Sequence, residues 1–179
     1  MVMMTVDPAS LRIVVYPDSA LREKSKPVDP EDETVREVAR RMLELMHDAD
    51  GVGLAAEQVA LPWRLFVTHG RDVDPHNRVF INPTLTVNGG ELVTEEEGCL
   101  SLPGIHVQVR RAPAAEISAT DLDGRPFTMK AEGLLSRIWQ HEYDHLHGVL
   151  IIDKMSPMDR LSTRKALKEL RAASSGGGP

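Results

Sequence analysis

The chain is poor in cysteine, with one in 179 residues, so no intramolecular disulfide can form and a small disulfide-stapled secreted fold is excluded. It is also poor in aromatics, which make up 4% of the residues, so Leu, Val, Ile, Ala and 8 Met must fill the interior. No window approaches the ~20 apolar residues of a spanning helix. The opening stretch MVMMTVDPASLRIVV has no basic leader region, and Asp7 and Pro8 interrupt it, so it does not read as a signal peptide and a cytoplasmic protein is expected. Cationic excess is lacking as well. A net charge of −6 argues against a surface that wraps nucleic acid throughout.

A length of 179 residues suits one domain with its own core. We expect that domain over residues 1–172, with SSGGGP closing a flexible tail over 173–179. Asp29 as N-cap and Pro30 at the first helical position predict a helix, with Val35, Val38, Met42, Leu45 and Met46 on one face, ending near Asp50 and Gly51. From Leu65 to about Thr128 the pattern becomes strand-like, in runs such as LFVTH, VFINP and HVQV. AEISATDLDGRPFTMK reads as a hairpin turning at Asp123-Gly124 with Ile117 inward. A second, largely buried helix is expected over 132–147, with Leu134, Leu135, Ile138, His141 and His145 on or beside one face. A third, from Met158 to Ala172, carries Arg160, Arg164, Lys165, Lys168 and Arg171. Helix, then strands, then helices, without regular βαβ alternation, predicts an α+β domain of mostly antiparallel sheet around the second helix.

The most specific local signal is His141-Glu142-Tyr143-Asp144-His145. Residues four apart on a helix share a face, so two imidazoles can grip one metal ion, with Glu142 one position round from His141. Hydrolysis needs that arrangement: an ion lowers the pKa of a water and polarises a carbonyl, while a carboxylate takes and returns a proton. The third ligand has three candidates. A metzincin would need His at position 151, which is Ile151, and Glu169 falls on the basic last helix. Cys99 is the better donor, since a thiolate binds borderline or soft ions and a catalytic site wants three protein ligands and one open position. A small buried hydrophobe and a Cys-His nucleophilic pair are the other readings of Cys99. Gly51 to Gln58 is made mostly of small residues and ends in an amide able to donate to an oxyanion.

Together these segments resemble peptide deformylase, whose motifs GxGxAAxQ, EGCLS and QHExDHLxG stand here as Gly51–Gln58, Glu97–Ser101 and Gln140–Gly148. The early RIVVYPDSALREKSKPV is also similar to that family, so the likeness covers residues 11 to 158 and suggests the bacterial-type branch. It implies a peptide deformylase-like fold in which Cys99, His141 and His145 bind one divalent ion, Fe2+, with Zn2+, Ni2+ or Co2+ as substitutes. Glu142 would be the general acid and base, and Gln58 with the backbone N–H of Leu100 would stabilise the oxyanion while formate is released from formyl-methionyl nascent peptides. Gly51, Val52, Gly53, Glu97, Gly98, Leu134, Arg137 and Ile138 would bind substrate, the methionine side chain entering an apolar pocket beside His141 and the peptide lying alongside as an added strand. Asp144 is expected to face away from the metal and pair with Arg111. His106 stands where many bacterial members carry Arg, near the outer end of the groove. The basic last helix is similar to one by which some members meet the ribosome. A zinc endopeptidase and a noncatalytic metal-binding scaffold are the competing classes; the missing third His weighs against the first, and intact Glu142 and Gln58 against the second.

Overall fold

The computed structural model describes residues 6–176. Its first helix, α1 (Glu33–Asp48), starts three residues later than the sequence suggests: Asp32, not Asp29, caps it, accepting from the Thr34 amide at 2.8 Å. Asp29 instead closes a preceding turn by accepting from Glu31, and Pro30 lies within that turn. Two Asp residues three apart can each cap, and the one closer to the apolar stripe begins the helix.

Strands follow as β1 (Gly53–Ala55), β2 (Leu65–Thr68), β3 (Arg78–Asn88), β4 (Val93–Cys99), β5 (Leu102–Arg111), β6 (Ala114–Thr120) and β7 (Pro126–Glu132). All pairings are antiparallel, forming a five-stranded sheet in the order β1-β2-β3-β6-β7 and a separate β4-β5 ribbon. The β6–β7 hairpin turns where expected, with Gly124 in the left-handed conformation at φ 79° and Ile117 buried. Helix α2 (Gly133–His145) then crosses the sheet, followed by α3 (Pro157–Ser162) and α4 (Arg164–Ser175). The expected single last helix is therefore two. Thr163 Oγ1 bonds back to the Asp159 carbonyl at 2.7 Å, and such back-bonding bends a helix. Helical structure runs on to Ser175, and residues 177–179 lie outside the described part.

Strand alternation distributes the core on both faces of the sheet. Leu54, Val67 and Leu65 meet Val38, Met42 and Met46 of α1 on one side, while Ala55, Phe66 and Phe80 meet Trp139 and Leu146 on the α2 side. The β4–β5 ribbon buries Leu102, Ile105, Val107 and Val109 against Leu150, Ile151, Ile152 and Leu167. Helix α2 is buried as expected except at its start, where Leu134 is half exposed. Among the described residues no helix is long and apolar enough to cross a membrane.

Candidate active site

Three elements, α2, β4 and the 3-10 turn after β1, converge on one site. The helix brings His141, Glu142 and His145 to one side, because 3.6 residues per turn bring positions four apart together. Cys99 arrives at the end of β4, where the ribbon register shifts between Gly98 and Cys99. Gln58 is buried in the short 3-10 turn Ala56–Val59 that follows β1. The ligand atoms of Cys99, His141 and His145 all lie within 4.8 Å of one another, and Cys99 Sγ is 3.5 Å from His145 Nε2. A tetrahedral ion with bonds of about 2.3 Å to sulfur and about 2.05 Å to nitrogen sets those atoms about 3.6 Å apart, so one thiolate and two imidazoles fit a single divalent ion.

The imidazoles are prepared differently. His141 Nδ1 meets Glu97 Oε2 at 2.9 Å, which leaves Nε2 for a metal. Burial opposes a charge on His141, but Cys99 and Glu97 outweigh it and raise its pKa well above the usual value, and the same partners favour any cation placed there. Burial, aided by the cationic His141, pushes His145 well below its usual value, so it stays a neutral donor. Glu97 is itself fixed by Arg111, at 2.7 and 2.9 Å, and by Arg137 at 2.8 Å. Burial would raise its pKa, yet Arg111 and His141 hold it far below the carboxylate range. Arg111 also binds Asp144 at 2.6 Å, the pairing expected from the sequence.

Glu142 is 4% exposed, and burial pushes its carboxyl up to about 7, near neutrality, where a proton carrier works best. It packs on bare backbone: a methyl at Gly53 would come within 2.7 Å of its carboxyl carbon. Gln58 is held by Ala55 N–H, donating to Oε1 at 2.9 Å, and its Nε2 points at Ser101 Oγ at 3.1 Å and Cys99 Sγ at 3.6 Å.

A cavity of about 280 Å³ opens beside these groups, lined among others by Gly51, Val52, Gly53, Gly98, Leu134 and Ile138. Leu100 and the stem of Arg137 complete its wall. The half-exposed Leu134 is explained by this position at the cavity mouth. Glu97 also lines it, with its carboxylate turned inward and engaged with Arg111, Arg137 and His141. His106 pairs with Gly98 across the ribbon on the exposed face and is not among the cavity's lining residues. Sequence reasoning missed Ser101 as the partner of Gln58. It also missed the orienting role of Glu97, whose inward turn follows the register shift beside Cys99.

The polypeptide deformylase family model matches residues 10–161. A peptide deformylase of Chromohalobacter salexigens is 42% identical over 165 residues, covering 92% of this chain and 97% of its own. That of Brucella suis is 41% identical over 162 residues, covering 88% and 91%. Among solved structures, a plant peptide deformylase superposes with a TM-score of 0.86 at 38% identity, covering 95% of each chain, and that of Thermotoga maritima with 0.76 at 41%, covering 82% and 98%. The chain thus belongs to the polypeptide deformylase family, metal-dependent hydrolases that remove the N-formyl group from nascent polypeptides.

Proposed function

We propose that Cys99, His141 and His145 hold one Fe2+ ion, and that this site deformylates the amino-terminal formyl-methionine of chains emerging in the cytoplasm. The observation that carries this reading is the convergence of the three donor atoms within 4.8 Å beside Glu142, Gln58 and an apolar cavity. Bound there, the ion supplies Lewis acidity and makes a water acidic enough to attack at neutral pH. Glu142 takes the proton of the attacking water and returns it to the departing amino nitrogen, a task suited to a carboxyl poised near 7. Gln58 Nε2 and the Leu100 N–H receive the charge that develops on the formyl oxygen. The methionine side chain fills the space by Val52, Leu134, Ile138 and the stem of Arg137, and the peptide backbone runs between Gly51–Gly53 and Gly98.

Formate release from formyl-Met-Ala-Ser, measured on protein purified anaerobically with Fe2+ beside a zinc-loaded sample, tests the reaction and the ion together. Strong turnover with iron and weak turnover with zinc is the expected result; cleavage of casein, or no turnover from a metal-loaded sample, would overturn it. Glu142→Ala should abolish turnover while the metal stays bound, and loss of the metal in that variant would show its role misassigned. The cationic side chains Arg160, Arg164, Lys165, Lys168 and Arg171 of α3 and α4 support docking on ribosomal phosphate, tested by cosedimentation with ribosomes at low and high salt.

A further inference from the structure

The Gln58 amide is aimed by two segments that do not pair with each other. Its oxygen is held by Ala55 of β1, in the five-stranded sheet, and its nitrogen by Ser101 at the end of the β4–β5 ribbon. The Val14–Tyr16 segment joins them. The Val14 N–H donates to the Gln58 carbonyl at 2.8 Å, and the Tyr16 N–H donates to the Ser101 carbonyl at 2.9 Å. One strap of chain thus fixes the separation between the turn that carries Gln58 and the bulge that carries Cys99 and Ser101.

The strap is fastened in turn from the far end of the chain. Val14 and Tyr16 pack, with Cys99, on the cluster that includes Leu167 and Leu170 of α4. Arg171 of the same helix donates to Tyr16 Oη from Nε at 3.0 Å and from Nη2 at 2.6 Å, with its guanidinium carbon 5.4 Å from the ring centroid. Three links therefore run from Arg171 to Tyr16, from Tyr16 to Ser101, and from Ser101 to the Gln58 amide.

We propose that Tyr16 is a positioning residue for deformylation: latched by Arg171, it sets the aim of the Gln58 amide through the Ser101 and Gln58 backbones. This rests on Gln58 acting as the oxyanion donor. Tyr16→Phe keeps the ring and its packing and removes the acceptor, whereas Arg171→Ala removes the donor from an exposed position, so both variants fold. Each should lower kcat about three- to tenfold, within the span of known coupling effects along packed networks, with KM and metal content unchanged. Because both variants remove the same Arg171–Tyr16 hydrogen bonds, the double variant should be no worse than the weaker single one. In zinc-loaded protein, the Gln58 side-chain amide resonances should move in both variants, which a loss of general stability alone would not cause.

Unchanged kcat, a double variant equal to the product of the singles, or unmoved Gln58 resonances would each overturn the proposal. Gln58→Ala separates the two readings. If that variant keeps the parent kcat, Gln58 is not the oxyanion donor; if it loses kcat while Tyr16→Phe and Arg171→Ala do not, the latch alone is wrong.

Discussion

A carboxyl with no accessible surface and no hydrogen-bond partner on either oxygen, as at Glu57, is held neutral by its surroundings. Burial pushes its pKa up to about 9, with Glu142 adding to the shift. Its own backbone amide and the charge of Arg64 pull weakly the other way. The unfolded chain loses this proton near 4.5, whereas the folded chain keeps it to about 9. Between those values unfolding releases a proton, so stability falls as pH rises, by about 1.4 kcal/mol per pH unit and on the order of 3 kcal/mol by pH 7. Below 4.5 both states are protonated and the effect vanishes. Glu57→Gln preserves the shape and removes the titration. In urea denaturation the variant should gain on the parent steadily from pH 5.5 to 8.5, reaching a few kcal/mol; parallel stability profiles would mean that Glu57 is ionised inside the fold.

At the level of elements, the reactive geometry depends on how closely β1 approaches α2. Only glycine at position 53 permits it, since an added methyl would meet the Glu142 carboxyl carbon at 2.7 Å and one of its oxygens, Oε1, closer still. Gly53→Ala should push Glu142 aside by a few tenths of an ångström or more and lower kcat on the order of 100-fold, the cost of such misplacement, with metal content intact. Unchanged kcat in that variant would show that Glu142 has room to adapt. These elements were unequally legible in the sequence. The 3.6-residue period placed α1 and α2, and the spacing of His141 and His145 announced a shared ligand face before any coordinates. The inward turn of Glu97 was concealed because TEEEGC presents three acidic residues in succession, and which of them faces α2 depends on the bulge at Cys99. The Thr163 break depends on a hydroxyl choosing a carbonyl rather than water. The strap at Val14 and Tyr16 acts through backbone amides, which carry no residue-type signal at all.

At the scale of the whole molecule, the site lies where separately packed bodies meet. Cys99 packs with the cluster under the β4–β5 ribbon, whereas α2 is anchored by Trp139 and Leu146 in the cluster on the five-stranded sheet. The buried ion pairs of Glu97, Arg111 and Arg137 bridge the same junction, but such pairs contribute little net stability once their desolvation is counted. An ion held by Cys99 together with His141 and His145 is then a cross-link between ribbon and helix, in addition to its chemical task. It would favour the folded state by an amount that grows with the logarithm of free ion over its dissociation constant, about 2.7 kcal/mol at a free concentration one hundred times that constant. For a domain of this size that corresponds to roughly 5–10 °C in Tm. Calorimetry of zinc-loaded protein before and after chelation should show a fall of that order, and Cys99→Ser should show a much smaller one because the cross-link has lost its ribbon end. If chelation left Tm unmoved in the parent chain, the three residues would not hold the ion in the folded protein. If Cys99→Ser lost as much as the parent, the metal would be bound by the helix alone and the ribbon would be joined to α2 through Glu97 and its arginines.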